Sequence, residues 1–62
     1  MNDKQELAIR RLCSRYRCVF IASEWREAGT LDGLPEGYYV GTVGNERNRL
    51  YVGVSPEGHI SS

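Results

Sequence analysis

The chain has 62 residues, with eight basic and eight acidic side chains, no net charge and 40% hydrophobic content. That is the composition of a globular protein rather than a disordered or fibrous one. A chain this short buries only about 60% of the surface it exposes when unfolded, so the core is thin. The longest uninterrupted apolar run, Cys18 to Ala22, is far short of a membrane span, and the polar start Met1–Glu6 does not read as a secretory signal.

Two cysteines in a C-x4-C spacing make neither a disulfide framework nor a usual zinc pattern. The expected setting is cytoplasmic, with reduced thiols. The balanced charge is unevenly spread: residues 1–20 hold five basic and two acidic side chains, and residues 21–62 hold three and six.

The chain opens with two overlapping capping-box patterns, Asn2-x-x-Gln5 and Asp3-x-x-Glu6, which offer acceptors to the free N–H groups of a helix start. Asp3 and Glu6 also suit the positive end of the helix dipole. Ile9, Leu12, Cys13, Tyr16 and Phe20 recur at three- and four-residue steps and form one stripe. Lys4, Arg11 and Arg15 fall on the opposite side, with Arg10 and Arg17 on its flank. The pattern predicts a helix over 3–17. Helix geometry is expected to send the Cys13 and Cys18 side chains in diverging directions, so no bridge between them is expected.

Cys18-Val19-Phe20-Ile21-Ala22 is apolar at successive positions and partly β-branched, which suits a buried strand over 18–23. The alternative is a single helix running to Ala28 and capped by Gly29. A loop is expected over 24–37, where Gly29, Gly33, Pro35 and Gly37 cluster.

Strands are expected at 38–43, 49–55 and 58–61. Tyr39-Val40-Gly41 and Tyr51-Val52-Gly53 repeat one tripeptide on either side of the turn-forming stretch Gly44–Asn48. Pairing residues whose numbers sum to 92 sets each tyrosine over a glycine of the other strand. Ser55-Pro56-Glu57-Gly58 reads as a type I turn closed by a left-handed glycine, with Ser55 opposite His59 and Val54 opposite Ile60. Tyr38, Val40, Leu50, Val52, Val54 and Ile60 then share one face. The expected fold is α+β: an N-terminal amphipathic helix packed on a three- to four-stranded antiparallel meander, as a single domain over 1–62.

No enzyme signature is present. Cys13, Cys18 and His59 are the only soft metal ligands and fall short of a structural zinc set. A Cys–His nucleophile pair would need His59 on the face where Cys13 lies, which this register denies. No carboxylate pair, phosphate-binding glycine loop or nucleophile elbow occurs. The expectation is therefore no catalysis and no cofactor or metal.

The sheet face away from the helix would show Tyr39, Val43, Arg49, Tyr51 and His59. Aromatic residues and Arg on a rigid sheet are protein-binding chemistry. Trp25, between Glu24 and Glu27, is a second candidate anchor. Trp25, Tyr39, Arg49, Tyr51 and His59 are thus the candidates for contact with a protein partner. A nucleic-acid interface built from Lys4, Arg10, Arg11, Arg15 and Arg17 is the alternative, less favoured because net charge is zero.

So thin a core would also gain from a homodimer mate, and no membrane association is expected. A Met-initiated chain of this size without enzyme motifs suggests a phage- or plasmid-type protein that occludes a host defence or regulatory protein.

Overall fold

A computed structural model describes residues 1–61. Helix α1 spans Asp3–Tyr16, and four strands follow: β1 (Arg26–Glu27), β2 (Tyr39–Asn45), β3 (Asn48–Val54) and β4 (Ile60–Ser61). All neighbouring pairs are antiparallel, in the order β1-β2-β3-β4. One N-terminal helix packed on a four-stranded antiparallel sheet is the α+β fold that the sequence predicts.

Of the two capping boxes, Asn2–Gln5 is the one that forms. The Gln5 N–H donates to Asn2 Oδ1 at 2.8 Å, and the Asn2 N–H donates to Gln5 Oε1 at 2.9 Å. At the other end Arg17 takes a left-handed conformation, φ 56°. Its N–H donates to the Ser14 carbonyl, and the Cys18 N–H donates to the Cys13 carbonyl at 3.0 Å. These two bonds are the Schellman motif, which ends a helix and brings its fourth-last residue against the second residue beyond it. Those two residues are Cys13 and Cys18. The expectation that the two residues diverge is therefore corrected: the Cys18 N–H bond to the Cys13 carbonyl sets them side by side, and both thiols are free.

Both expectations for the next segment are also corrected. The helix does not run to Ala28, because the left-handed Arg17 turns the chain. No strand forms over 18–23 either: residues 18–21 are irregular and Ala22–Glu24 makes a short 3₁₀ turn. Phe20 and Cys18 still reach the core from this segment, so the apolar run is used for packing without joining the sheet.

The β3–β4 hairpin is as predicted. Val54 pairs with Ile60, the Ser55 N–H donates to the His59 carbonyl, and Gly58 takes φ 87°. The β2–β3 hairpin differs by one residue. Val43 pairs with Leu50 and Gly41 with Val52, a register whose numbers sum to 93.

The cause lies in the turn. Asn45 Oδ1 accepts from the N–H groups of Arg47 and Asn48, so the loop is only Glu46-Arg47 between paired Asn45 and Asn48. Gly44, at φ 109°, supplies the left-handed residue inside the strand, where a side chain would be strained. A one-residue slip turns every side chain of β2 to the other face. Tyr39, Gly41 and Val43 face the helix, and Val40 faces away.

The core packs Ile9, Cys13, Trp25, Val43, Val52 and Val54 together, with Leu12, Phe20 and Tyr39 at its margin. Tyr16, expected in the core stripe, is 36% exposed at the helix end. The far face is not bare. Leu34 and Tyr38 lie over Gly53 beside Val40, which is buried.

Candidate functional site

Two surfaces gather the chemistry-bearing residues. The first is on the far sheet face. Arg26 Nη1 and Nη2 donate to Asp32 Oδ2 and Oδ1 at 3.0 and 2.9 Å, a bidentate pair. Arg26 Nη2 also donates to the Tyr51 hydroxyl at 3.2 Å, and that hydroxyl donates to Asp32 Oδ1 at 3.2 Å. The Gly29 N–H donates to Asp32 Oδ2 at 2.7 Å.

With its donors led by Arg26 and the Gly29 N–H, the Asp32 carboxyl is held well below the usual carboxylate range. Partial burial and the hydrogen bond to Asp32 push the Tyr51 phenol up, and the Asp32 pairing raises Arg26 further. These groups satisfy one another, and they clasp the 29–33 loop onto β1 and β3.

The second surface is a groove of about 240 Å³ between α1 and β4, lined by Ala8, Arg11, Leu12, Arg15, Gly58 and Ile60. Arg11 and Arg15 stand one helical turn apart. Neither joins an ion pair or side-chain hydrogen bond among the described residues. The floor is apolar: Leu12 is half-buried and Ile60 is 38% exposed. Ile60 shares the helix-facing side of the sheet with its partner Val54. Beside the groove runs the outer edge of β4, the last strand of the sheet.

Several candidates stand elsewhere than expected. Trp25 is corrected from surface anchor to core residue, 6% exposed, because it packs on Gly41. The register slip carries Tyr39 and Val43 from the far face into the helix-facing side, where Val43 is buried and Tyr39 packs on the core. Arg49 and Tyr51 keep their far-face positions, with Tyr51 51% exposed, and His59 is exposed on the β3–β4 turn.

Of the basic set, Arg11 and Arg15 come together at the groove, and Lys4 is exposed two turns earlier, its carbonyl against Gly58. Arg10 turns to the other flank, paired with Glu6 at 3.0 Å and lying 4.7 Å from the Phe20 ring centre. Arg17 gives its backbone N–H to the helix cap and is exposed beyond the end of the helix. The five basic residues thus do not form one patch.

Sequence reasoning did not single out Asp32, the bonds from Gln5 Nε2 to the carbonyls of Gly37 and Val54, or the placing of Leu12 beside Ile60. Asp32 left a faint local signal, an acceptor three residues after Gly29. The other two depend on contacts distant in sequence. No group of three His, Cys, Asp or Glu residues able to hold a metal occurs among the described residues, and none of their helices is long and apolar enough to cross a membrane. Comparison with protein-family models, curated proteins and solved structures finds no match.

Proposed function

We propose that this chain is a small, non-enzymatic protein-binding module that takes an extended acidic segment of a partner protein into the α1–β4 groove. The observation that carries this reading is the pairing of two uncompensated cations, Arg11 and Arg15, with an apolar floor of Ala8, Leu12 and Ile60. Carboxylates of the segment answer the guanidinium groups, and bidentate Arg–carboxylate bonds add direction to the attraction. Alternate side chains of an added strand fall on one face. A segment lying along β4 therefore sends every second side chain toward the groove while its backbone pairs with the open edge, the mode of strand addition. Occlusion of a host defence or regulatory protein by a phage- or plasmid-type chain, in the cytoplasm, is the biological form proposed for this binding.

The test is a fluorescein-labelled peptide of alternating Glu and Val, titrated with the protein and followed by anisotropy. Saturable binding is expected, weakened at least about tenfold by R11E/R15E and by raised salt. An equivalent peptide of alternating Lys and Val is the control. Equal binding of both peptides would overturn the groove reading. Binding of single-stranded or duplex oligonucleotides that is lost in R11E/R15E would favour nucleic acid in its place. A dimer in sedimentation that the Glu–Val peptide fails to dissociate would assign the β4 edge to a second copy of the chain.

A further inference from the structure

We propose that Cys18 and Cys13 form a redox modification site, in which Cys18 is the thiol that meets a low-molecular-weight disulfide and Cys13 closes an intramolecular bridge behind it. Three independent features of the structure converge on this pair. The first is the helix cap. The Cys18 N–H···O=C Cys13 bond of 3.0 Å ties the two residues together directly. A disulfide bridges Cα atoms about 4.4–6.8 Å apart, and residues joined by a backbone hydrogen bond sit at such separations. The cap already holds the two backbones together, so ring closure needs side-chain rotation and no rearrangement of the helix.

The second feature is access. Cys18 is half-buried and lies in the wall of an open cleft of about 340 Å³, together with Val19, Glu24, Thr42, Gly44 and Arg49. The cleft exists because β1 pairs with β2 only at Tyr39 and Val40, leaving the β2 edge beyond them uncovered. A small disulfide reaches Cys18 from this side, and Arg49 offers a cation to reagents that carry carboxylates, as glutathione does. The Gly44 N–H donates to Cys18 Sγ at 3.4 Å and holds that sulfur at the cleft wall.

The third feature is the asymmetry of the pair. Cys13 is 4% exposed, and burial, reinforced by its hydrogen bond to Cys18, pushes its thiol up to about 11. It is closed to direct attack and suited to act second.

The chemistry balances without further reagents. Cys18, as thiolate, attacks one sulfur of the oxidised small disulfide, forming a mixed disulfide and releasing one small thiolate. Cys13 then loses its proton and attacks Cys18 Sγ, forming the Cys13–Cys18 bond and expelling the second small thiolate. The two thiolates take up the two protons given off by the cysteines. The protein dithiol is oxidised and the reagent is reduced to two thiols. Burial slows the deprotonation of Cys13, so the mixed disulfide accumulates before it resolves.

The experiment treats the reduced full chain with oxidised glutathione, quenches in acid, alkylates with N-ethylmaleimide and reads intact and peptide masses over time. The expected course is a glutathione adduct on Cys18, followed by a product two hydrogens lighter than the dithiol protein that takes up no maleimide. C13S is expected to stop at the Cys18 adduct, and C18S to react at least about tenfold more slowly than wild type. The wild-type time course decides the matter even where a variant folds poorly. A permanent adduct on the wild type, first modification at Cys13, or disulfide-linked dimers in place of the internal bridge would each overturn the proposal.

Discussion

The Trp25 indole covers Gly41: a Cβ built at position 41 would stand 2.5 Å from Cδ2 and 2.6 Å from Cε3 of the ring. The glycine is therefore a seat for the ring that closes the sheet side of the core. G41A must displace the indole and is expected to cost about 1–3 kcal/mol, as overpacking does. W25A is expected to cost about 3–5 kcal/mol. In the W25L background, where the ring is absent, G41A should cost much less. Urea denaturation of the four proteins of this cycle checks the coupling. Additive effects would show that the ring does not rest on Gly41.

Gln5 makes two kinds of contact that substitution separates. Its Oε1 accepts from the Asn2 N–H, while its Nε2 donates to the carbonyls of Gly37 at 2.8 Å and Val54 at 3.3 Å. With the residue only 2% exposed, Q5A leaves these groups unpaired and is expected to cost about 1–3 kcal/mol. Q5E keeps the acceptor, yet as a carboxylate it turns charge toward two carbonyl oxygens. Its folded-state pKa is then raised above its unfolded value of about 4.3. The variant should approach wild-type stability in acid and fall behind it as pH rises. Parallel denaturation curves at several pH values check this, and a constant gap between the two proteins would contradict it.

The clasp on the far face predicts a pH dependence of opposite sign. The Asp32 carboxyl is stabilised in its charged form by Arg26 and the Gly29 N–H, so its folded-state value lies below the ordinary 3.8. Its contribution is fully present above that ordinary value and is lost as pH falls through the lower, folded one. D32N should therefore lower the urea midpoint near neutrality and flatten its decline in acid, relative to wild type. The Arg26 side chain is 60% exposed, so salt screens the pair and the neutral-pH difference should shrink in high salt.

What could be foreseen in the chain was what local chemistry decides. The Asn2–Gln5 cap, the Ile9–Leu12–Cys13 part of the helix stripe and the Ser55–Gly58 turn each involve residues within a few positions of one another, and each stands where the sequence puts it. The β2–β3 register failed on a local ambiguity: Gly44-Asn45-Glu46-Arg47-Asn48 supports either a two- or a three-residue loop, and loop parity sets which face of β2 is buried. The tyrosine–glycine repeat favoured the wrong one, because covering Gly41 falls to Trp25, which arrives from outside the hairpin. The same slip explains why the expected aromatic face lost Tyr39 and Val43. The groove was half visible, as the Arg11–Arg15 spacing. Its floor needs Ile60 to meet Leu12 across 48 positions of sequence, and no periodicity reports such a contact.

The last prediction concerns Arg17, the one non-glycine residue with positive φ among the described residues, at φ 56°. A side chain in this conformation carries a cost of roughly 1–2 kcal/mol that glycine avoids. R17G is expected to stabilise the chain by up to about 1 kcal/mol, the gain being reduced because glycine also loosens the unfolded state. R17V, β-branched at the same position, should destabilise it. Opposite shifts of the urea midpoint in the two variants would confirm the Schellman cap that sets Cys18 against Cys13. A helix continuing past Tyr16 would reverse the order, because glycine inside a helix costs more than valine.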